Sequence, residues 1–106
     1  MGSDKNRRPF CTAMQREGRS YELAAAALLR LPSDTEWRLA HGVIAGFGRA
    51  WLTDGDEVWE PTANRFFIAR EFHARYAPSL RSLYPRDAAA AAMALNGHWG
   101  PWEQAA

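Results

Sequence analysis

Between Gly48 and Thr62, apolar and polar residues alternate in the way that suits two half-buried strands (Arg49-Ala50-Trp51-Leu52-Thr53 and Asp56-Glu57-Val58-Trp59-Glu60). Asp54-Gly55 between them is a strong two-residue reversal signal. With those two residues as the loop, Thr53 faces Asp56, Trp51 faces Val58, Ala50 faces Trp59 and Arg49 faces Glu60. This register predicts a cross-strand ion pair between Arg49 and Glu60. It also puts Trp51 and Trp59 on opposite faces, so that one belongs to the core and the other lies under a helix or at an interface.

The flanking pattern adds further elements. Ser20 to Leu31 reads as a helix, with Ser20 as N-cap, Glu22 in the first turn and an alanine-leucine run of high propensity; Pro32-Ser33-Asp34 stops it. Trp37 to Ala45 reads as a strand with Trp37, Leu39, His41 and Val43 on one face, and Gly46-Phe47-Gly48 as the turn that follows it. Pro61-Thr62-Ala63-Asn64 leaves the sheet, and Arg65-Phe66-Phe67 suits a short strand or edge. Ile68 to Tyr76 has helical spacing, and Leu80 to Tyr84 suits a last short strand. Pro85 to Leu95 is a helix with Pro85 near N1, stopped by Asn96-Gly97. Residues 1–17 read as a flexible or short helical segment: a polar, basic start, then a helix over Phe10–Glu17 ended by Gly18. Residues 18–106 form one domain. The order predicts an α+β fold, a small antiparallel sheet of three or four strands with helices packed on one face.

The 106 residues and a net charge of +1 fit one domain with a modest core and give no general field toward nucleic acid or membrane. Lys5 is the only lysine; the arginine and alanine bias points to a GC-rich bacterial or phage genome. One cysteine, Cys11, excludes an internal disulfide and fits a reducing cytoplasm. No apolar run is long enough to span a bilayer.

Two segments carry a family resemblance. Gly48-Arg49-Ala50-Trp51-Leu52, a turn, then Val58-Trp59-Glu60-Pro61-Thr62 resembles the transglutaminase-like branch of the papain-like fold. There the stretch reads Gly-His-Ala-Trp-Val, a turn, then Val-Tyr/Trp-Asp-Pro-Thr, and its His and Asp belong to a Cys-His-Asp triad. Gly18-Arg19-Ser20-Tyr21-Glu22-Leu23-Ala24 is similar to the nucleophile segment, with Ser20 at the cysteine position. The resemblance covers roughly residues 18–102, with specific motifs in 18–24 and 48–62. It implies a papain/transglutaminase-like core in which Ser20, Arg49 and Glu60 replace all three catalytic residues.

Such a triad lacks a base. A serine hydroxyl needs a group to take its proton, and a guanidinium stays protonated at physiological pH. The residues suit structure better: Ser20 as cap, Arg49 and Glu60 as a pair. Ser20 at a helix start beside Arg49 would also suit an anion, although pairing with Glu60 would blunt that pocket. An active hydrolase or acyltransferase is the alternative, with Ser20 as nucleophile and His41 as a non-standard base. A third reading is an inactivated variant or regulatory paralogue of an enzyme, binding the same substrate without turnover.

His41, His73 and His98 have no HExxH, CxxC or comparable metal spacing, and neither a P-loop nor GxGxxG is present, so no cofactor is expected. His73 reads as solvent-exposed and His41 as a hydrogen-bonded sheet histidine. Trp99, Pro101 and Trp102, with Tyr84 and Phe10, either fold back over the core or form a surface patch; tryptophan, tyrosine and arginine dominate binding hot spots. The sequence therefore reads as a non-catalytic, cytoplasmic protein-binding module. Arg49, Trp99, Trp102, Arg65 and Arg70, with Arg75, would meet a larger protein or complex. Its size and composition suit a phage or mobile-element inhibitor of a host complex.

Overall fold

A tight reversal at Ala45-Gly46 frames the sheet. Both residues have positive φ, 52° and 83°, as a two-residue hairpin loop that matches strand twist requires, and Gly46 meets this without a Cβ penalty. The reversal joins β1 (Arg38–Ile44) to β2 (Phe47–Thr53), with Ile44 across from Phe47. Phe47 and Gly48, expected in the turn, therefore belong to the strand. The structure is a computed structural model and describes residues 19–103 together with Pro9, which is buried. The expected helix over Phe10–Glu17, its stop at Gly18 and the setting of Cys11 lie outside the described residues.

The remaining elements are α1 (Ser20–Leu29), β3 (Glu57–Glu60), β4 (Arg65–Ile68), α2 (Ala69–Tyr76), β5 (Ser79–Pro85) and α3 (Arg86–Asn96). The described residues form an α+β fold, with an open five-stranded antiparallel sheet of order β4-β3-β2-β1-β5. The last strand returns beside the first, so the sheet is wider than the three or four strands expected. The helix α2 carries the chain from the β4 edge to the β5 edge. Helix α3 ends where expected, with the Gly97 N–H on the Met93 carbonyl.

Helices cover both faces, not one. Leu39, Ala50, Leu52 and Trp59 meet α1 and α3 through Leu23, Ala24, Leu28 and Ala89. Ala40, Trp51, Val58 and Phe67 point the other way and are closed by Phe72 of α2. Alternation has supplied apolar residues to each face, and each needs a cover. Trp51 and Trp59 thus lie on opposite faces as expected: Trp51 sits under α2, its ring 5.5 Å from that of Phe72, and Trp59 is fully buried beneath α1. The alanines of α1 let it lie close to both the sheet and α3. Arg86 of α3 donates to the Leu29 carbonyl at 2.9 Å, satisfying one of the free carbonyls at the end of α1.

The β2–β3 register departs from expectation. Leu52 faces Trp59 and Thr53 faces Val58, so Gly55-Asp56 is the loop. The Asp54 carboxylate fixes this by accepting the amides of Asp56 and Glu57 at 3.0 and 2.8 Å. The Thr53 hydroxyl adds a bond to the Glu57 carbonyl at 2.7 Å. Reversal comes one residue later and the pairing moves by two. An even shift keeps every side chain on its face, which is why the tryptophan assignment survives while the Arg49–Glu60 pairing does not.

Candidate functional site

Helix α1 begins against β2. Ser20 is its first helical residue, not its N-cap; Arg19 holds that position without a side-chain capping bond. The Ser20 hydroxyl is buried and accepts the Ala50 amide at 3.3 Å. Ala50 lies beyond the short stretch of β2 that β3 covers. Ser20 therefore ties the helix start to the strand, one residue from Arg49.

Ser20 and Arg49 line one open cleft of about 450 Å³, walled by Tyr21, Phe47 and Trp99. Phe47 is 67% exposed. Arg19 and Glu22 share the cleft but are joined to each other by an ion pair. Arg49 is half-buried, and its guanidinium makes no hydrogen bond or ion pair with any described residue. The residue types at the cleft give it a positive centre in an aromatic wall.

Glu60 faces Arg65 across the β3–β4 hairpin. Its carboxylate accepts the Thr62 amide and hydroxyl at 3.1 and 2.6 Å and the Ala63 amide at 2.7 Å. The carboxylate thus caps the turn that leaves the sheet. Arg49 and Glu60 do border a common cavity of about 250 Å³, with Ile44, Phe72 and Tyr76, yet form no ion pair. Arg49 therefore borders both cavities, one shared with Ser20 and the other with Glu60.

His41 lies elsewhere on the α1 face. It is fully buried, hydrogen-bonded as expected, and does not line the Ser20 cleft. Its Nδ1–H donates to the Glu103 carboxylate at 2.8 Å, and the Tyr84 hydroxyl donates to the same oxygen. The rings of Tyr21, Tyr84 and Trp102 surround the imidazole at 4.9, 5.2 and 5.0 Å. His41 Nε2 has no hydrogen-bond partner among the described residues. Burial, opposed by Glu103, holds the imidazole pKa below its ordinary value. Burial pushes the Glu103 carboxyl up, but the bonds from Tyr84 and His41 outweigh it and hold the group below the usual carboxylate range.

The other expected residues separate. Trp99 and Trp102 are half-buried and fold back onto the core, Trp99 as a cleft wall and Trp102 on His41. Arg65 is exposed over the Phe67 ring on the edge strand β4, across from Glu60, and does not line the Ser20 cleft. Arg70 and Arg75 are exposed on α2, and His73 is exposed as expected. Glu103, Tyr84 and Tyr21 are the residues that sequence reasoning missed as a group. The available signal was the aromatic tail itself, with Glu103 as its one carboxylate. No cluster of potential metal ligands occurs among the described residues, and no described helix is long and apolar enough to cross a membrane. Comparison with protein-family models, with curated proteins and with solved structures finds no match.

Proposed function

We propose that this chain is a non-catalytic protein-binding module on a degenerate transglutaminase-like scaffold, and that it engages its partner at the Ser20–Arg49 cleft. One observation carries the reading: Ser20 and Arg49 share the cleft, and no histidine is among the described residues that line it. The hydroxyl has no imidazole to take its proton there: the Glu22 carboxylate in the cleft is engaged in its ion pair with Arg19, and the Arg49 guanidinium stays charged. The same guanidinium, unpaired among the described residues and flanked by Phe47, Tyr21 and Trp99, suits a hot spot for an acidic segment of a partner. The likeness to the family rests on the two sequence motifs and is supported by the contact between the first residue of α1 and the strand that bears Arg49. A cytoplasmic phage or mobile-element inhibitor of a host complex is the biological setting we favour.

The test is capture from a host lysate by wild type, Arg49→Ala and Trp99→Ala, each shown to be folded. The reading expects one stoichiometric protein in the wild-type sample and its loss by tenfold or more, about 1.4 kcal/mol, in both variants. Equal capture by all three removes the cleft as the interface. Arg65, exposed at the β4 edge, serves as the comparison surface.

His41 gives the alternative, a hydrolase or acyltransferase, one point of support: a carboxylate orients its Nδ1 and leaves Nε2 unpartnered, as in a serine-hydrolase base. That reading expects a serine-reactive phosphonate to label wild type and not Ser20→Ala. Equal labelling of the two dismisses it.

A further inference from the structure

We propose that residues 97–103 form a proton-released strap over His41, and that its release withdraws Trp99 from the Arg49 cleft. The inference rests on the binding role assigned to that cleft and adds its regulation.

The strap is a built feature. Gly97 ends α3, and the segment then folds on itself: the Gly100 amide donates to His98 Nδ1 at 3.1 Å and Trp102 Nε1 donates to the His98 carbonyl at 2.8 Å. It grips the body at three places. Trp102 packs on His41 and Tyr84, with ring centres at 5.0 and 5.1 Å. Glu103 accepts from His41 and Tyr84. Gly100 lies so close that a Cβ there would be 2.9 Å from His41 Cε1 and 3.3 Å from Nε2.

Those contacts suit only one protonation state. With Nδ1–H donating to Glu103, the neutral imidazole presents a bare acceptor at Nε2. A second proton would make Nε2 a charged donor beside Gly100, with no hydrogen-bond partner among the described residues. The groups that face His41 from the packed elements are Tyr21 of α1, Tyr84 of β5, and Trp102 and Glu103 of the strap. Arg81 of β5 borders a cavity beside Glu103 and Tyr21. Glu103 is the one anion touching the ring and favours the imidazolium, but burial opposes it more strongly, so the net direction is down.

The sign follows from linkage. The released state binds a proton near the ordinary histidine value of about 6.5, and the closed state only below it. The closed strap is therefore favoured at neutral pH and loses ground as pH falls through about 6.5. Trp99 precedes Gly100 directly and forms a wall of the cleft, so the strap cannot leave His41 without moving that wall.

The test uses the full chain alone, with the tryptophan Nε1–H and His41 Cε1–H resonances followed from about pH 8 to about pH 5. The strap mechanism expects Trp99 and Trp102 to shift together with His41, at a midpoint below about 6.5, while Trp37, Trp51 and Trp59 stay in place. Gly100→Ala should show the low-pH positions of Trp99 and Trp102 already at neutral pH, and His41→Phe should remove the transition. Immobile Trp99 and Trp102, all five tryptophans moving as one, or a neutral-pH Gly100→Ala spectrum like wild type would each overturn the strap. Because no partner is present, failure here leaves the Arg49 capture result standing, and failure of that capture leaves the strap result standing.

Discussion

The Ser20 hydroxyl accepts the Ala50 amide across the junction of α1 and β2, at 3.3 Å. This single bond gives Ser20 a structural duty. Ser20→Ala would leave the Ala50 amide unsatisfied at a buried site, with an expected loss of about 1–3 kcal/mol. For a domain of this size each kcal/mol lowers Tm by about 4–8 °C. Urea or thermal unfolding measures it, and a stability equal to wild type would show that water replaces the hydroxyl.

Arg49 and Glu60 should be energetically independent. Glu60 is occupied by Thr62 and Ala63, and β3 has left β2 before Arg49 is reached. A double-mutant cycle of Arg49→Ala with Glu60→Ala should give a coupling under about 0.5 kcal/mol, whereas Glu60→Ala with Thr62→Val should exceed it. A large Arg49–Glu60 coupling would restore the Asp54-Gly55 loop and the register that goes with it.

That register shows where the sequence was legible. The strands, α2 and the stop of α3 at Gly97 follow from periodicity and turn residues, which act locally. The hairpin loop was displaced by one residue because a side chain, the Asp54 carboxylate, competed for the backbone amides. The parity of Trp51 and Trp59 survived, since burial tolerates only even slips. Two features depend on contacts between distant parts of the chain: β5 pairing with β1, and Glu103 meeting His41 from 62 residues away. Periodicity carries no information about such meetings. In the site, Ser20 beside Arg49 was an expectation of the family resemblance, while the strap over His41 had no such signal.

Phe72 supports the half of the core that the one-face expectation omitted. It is fully buried, and its ring lies 5.5, 5.7 and 5.1 Å from those of Trp51, Phe67 and Tyr76. With eight residues, α2 has little else buried to hold it down. Phe72→Ala should cost about 3–5 kcal/mol by cavity formation and expose the Trp51 face. Denaturant unfolding and a red-shifted tryptophan emission check this; a loss below about 1 kcal/mol would mean that the face collapses to fill the space.

The Tyr84–Glu103 bond makes an alkaline prediction of its own. Burial first, then the Glu103 carboxylate, pushes the Tyr84 phenol above its ordinary pKa, and burial and Glu103 do the same to Tyr21. A phenolate beside that carboxylate is disfavoured while the tail is docked. The released state ionises near the ordinary value of about 10 and the docked state only above it, so docking is fully favoured below about 10 and is lost as pH rises through the docked value. An absorbance titration of the phenolate band measures this. Subtracting Tyr84→Phe from wild type should isolate one phenol with a midpoint above about 10. A difference curve centred at or below that value would show that the Tyr84 hydroxyl is not held against Glu103, and that the carboxylate is held by His41 without it.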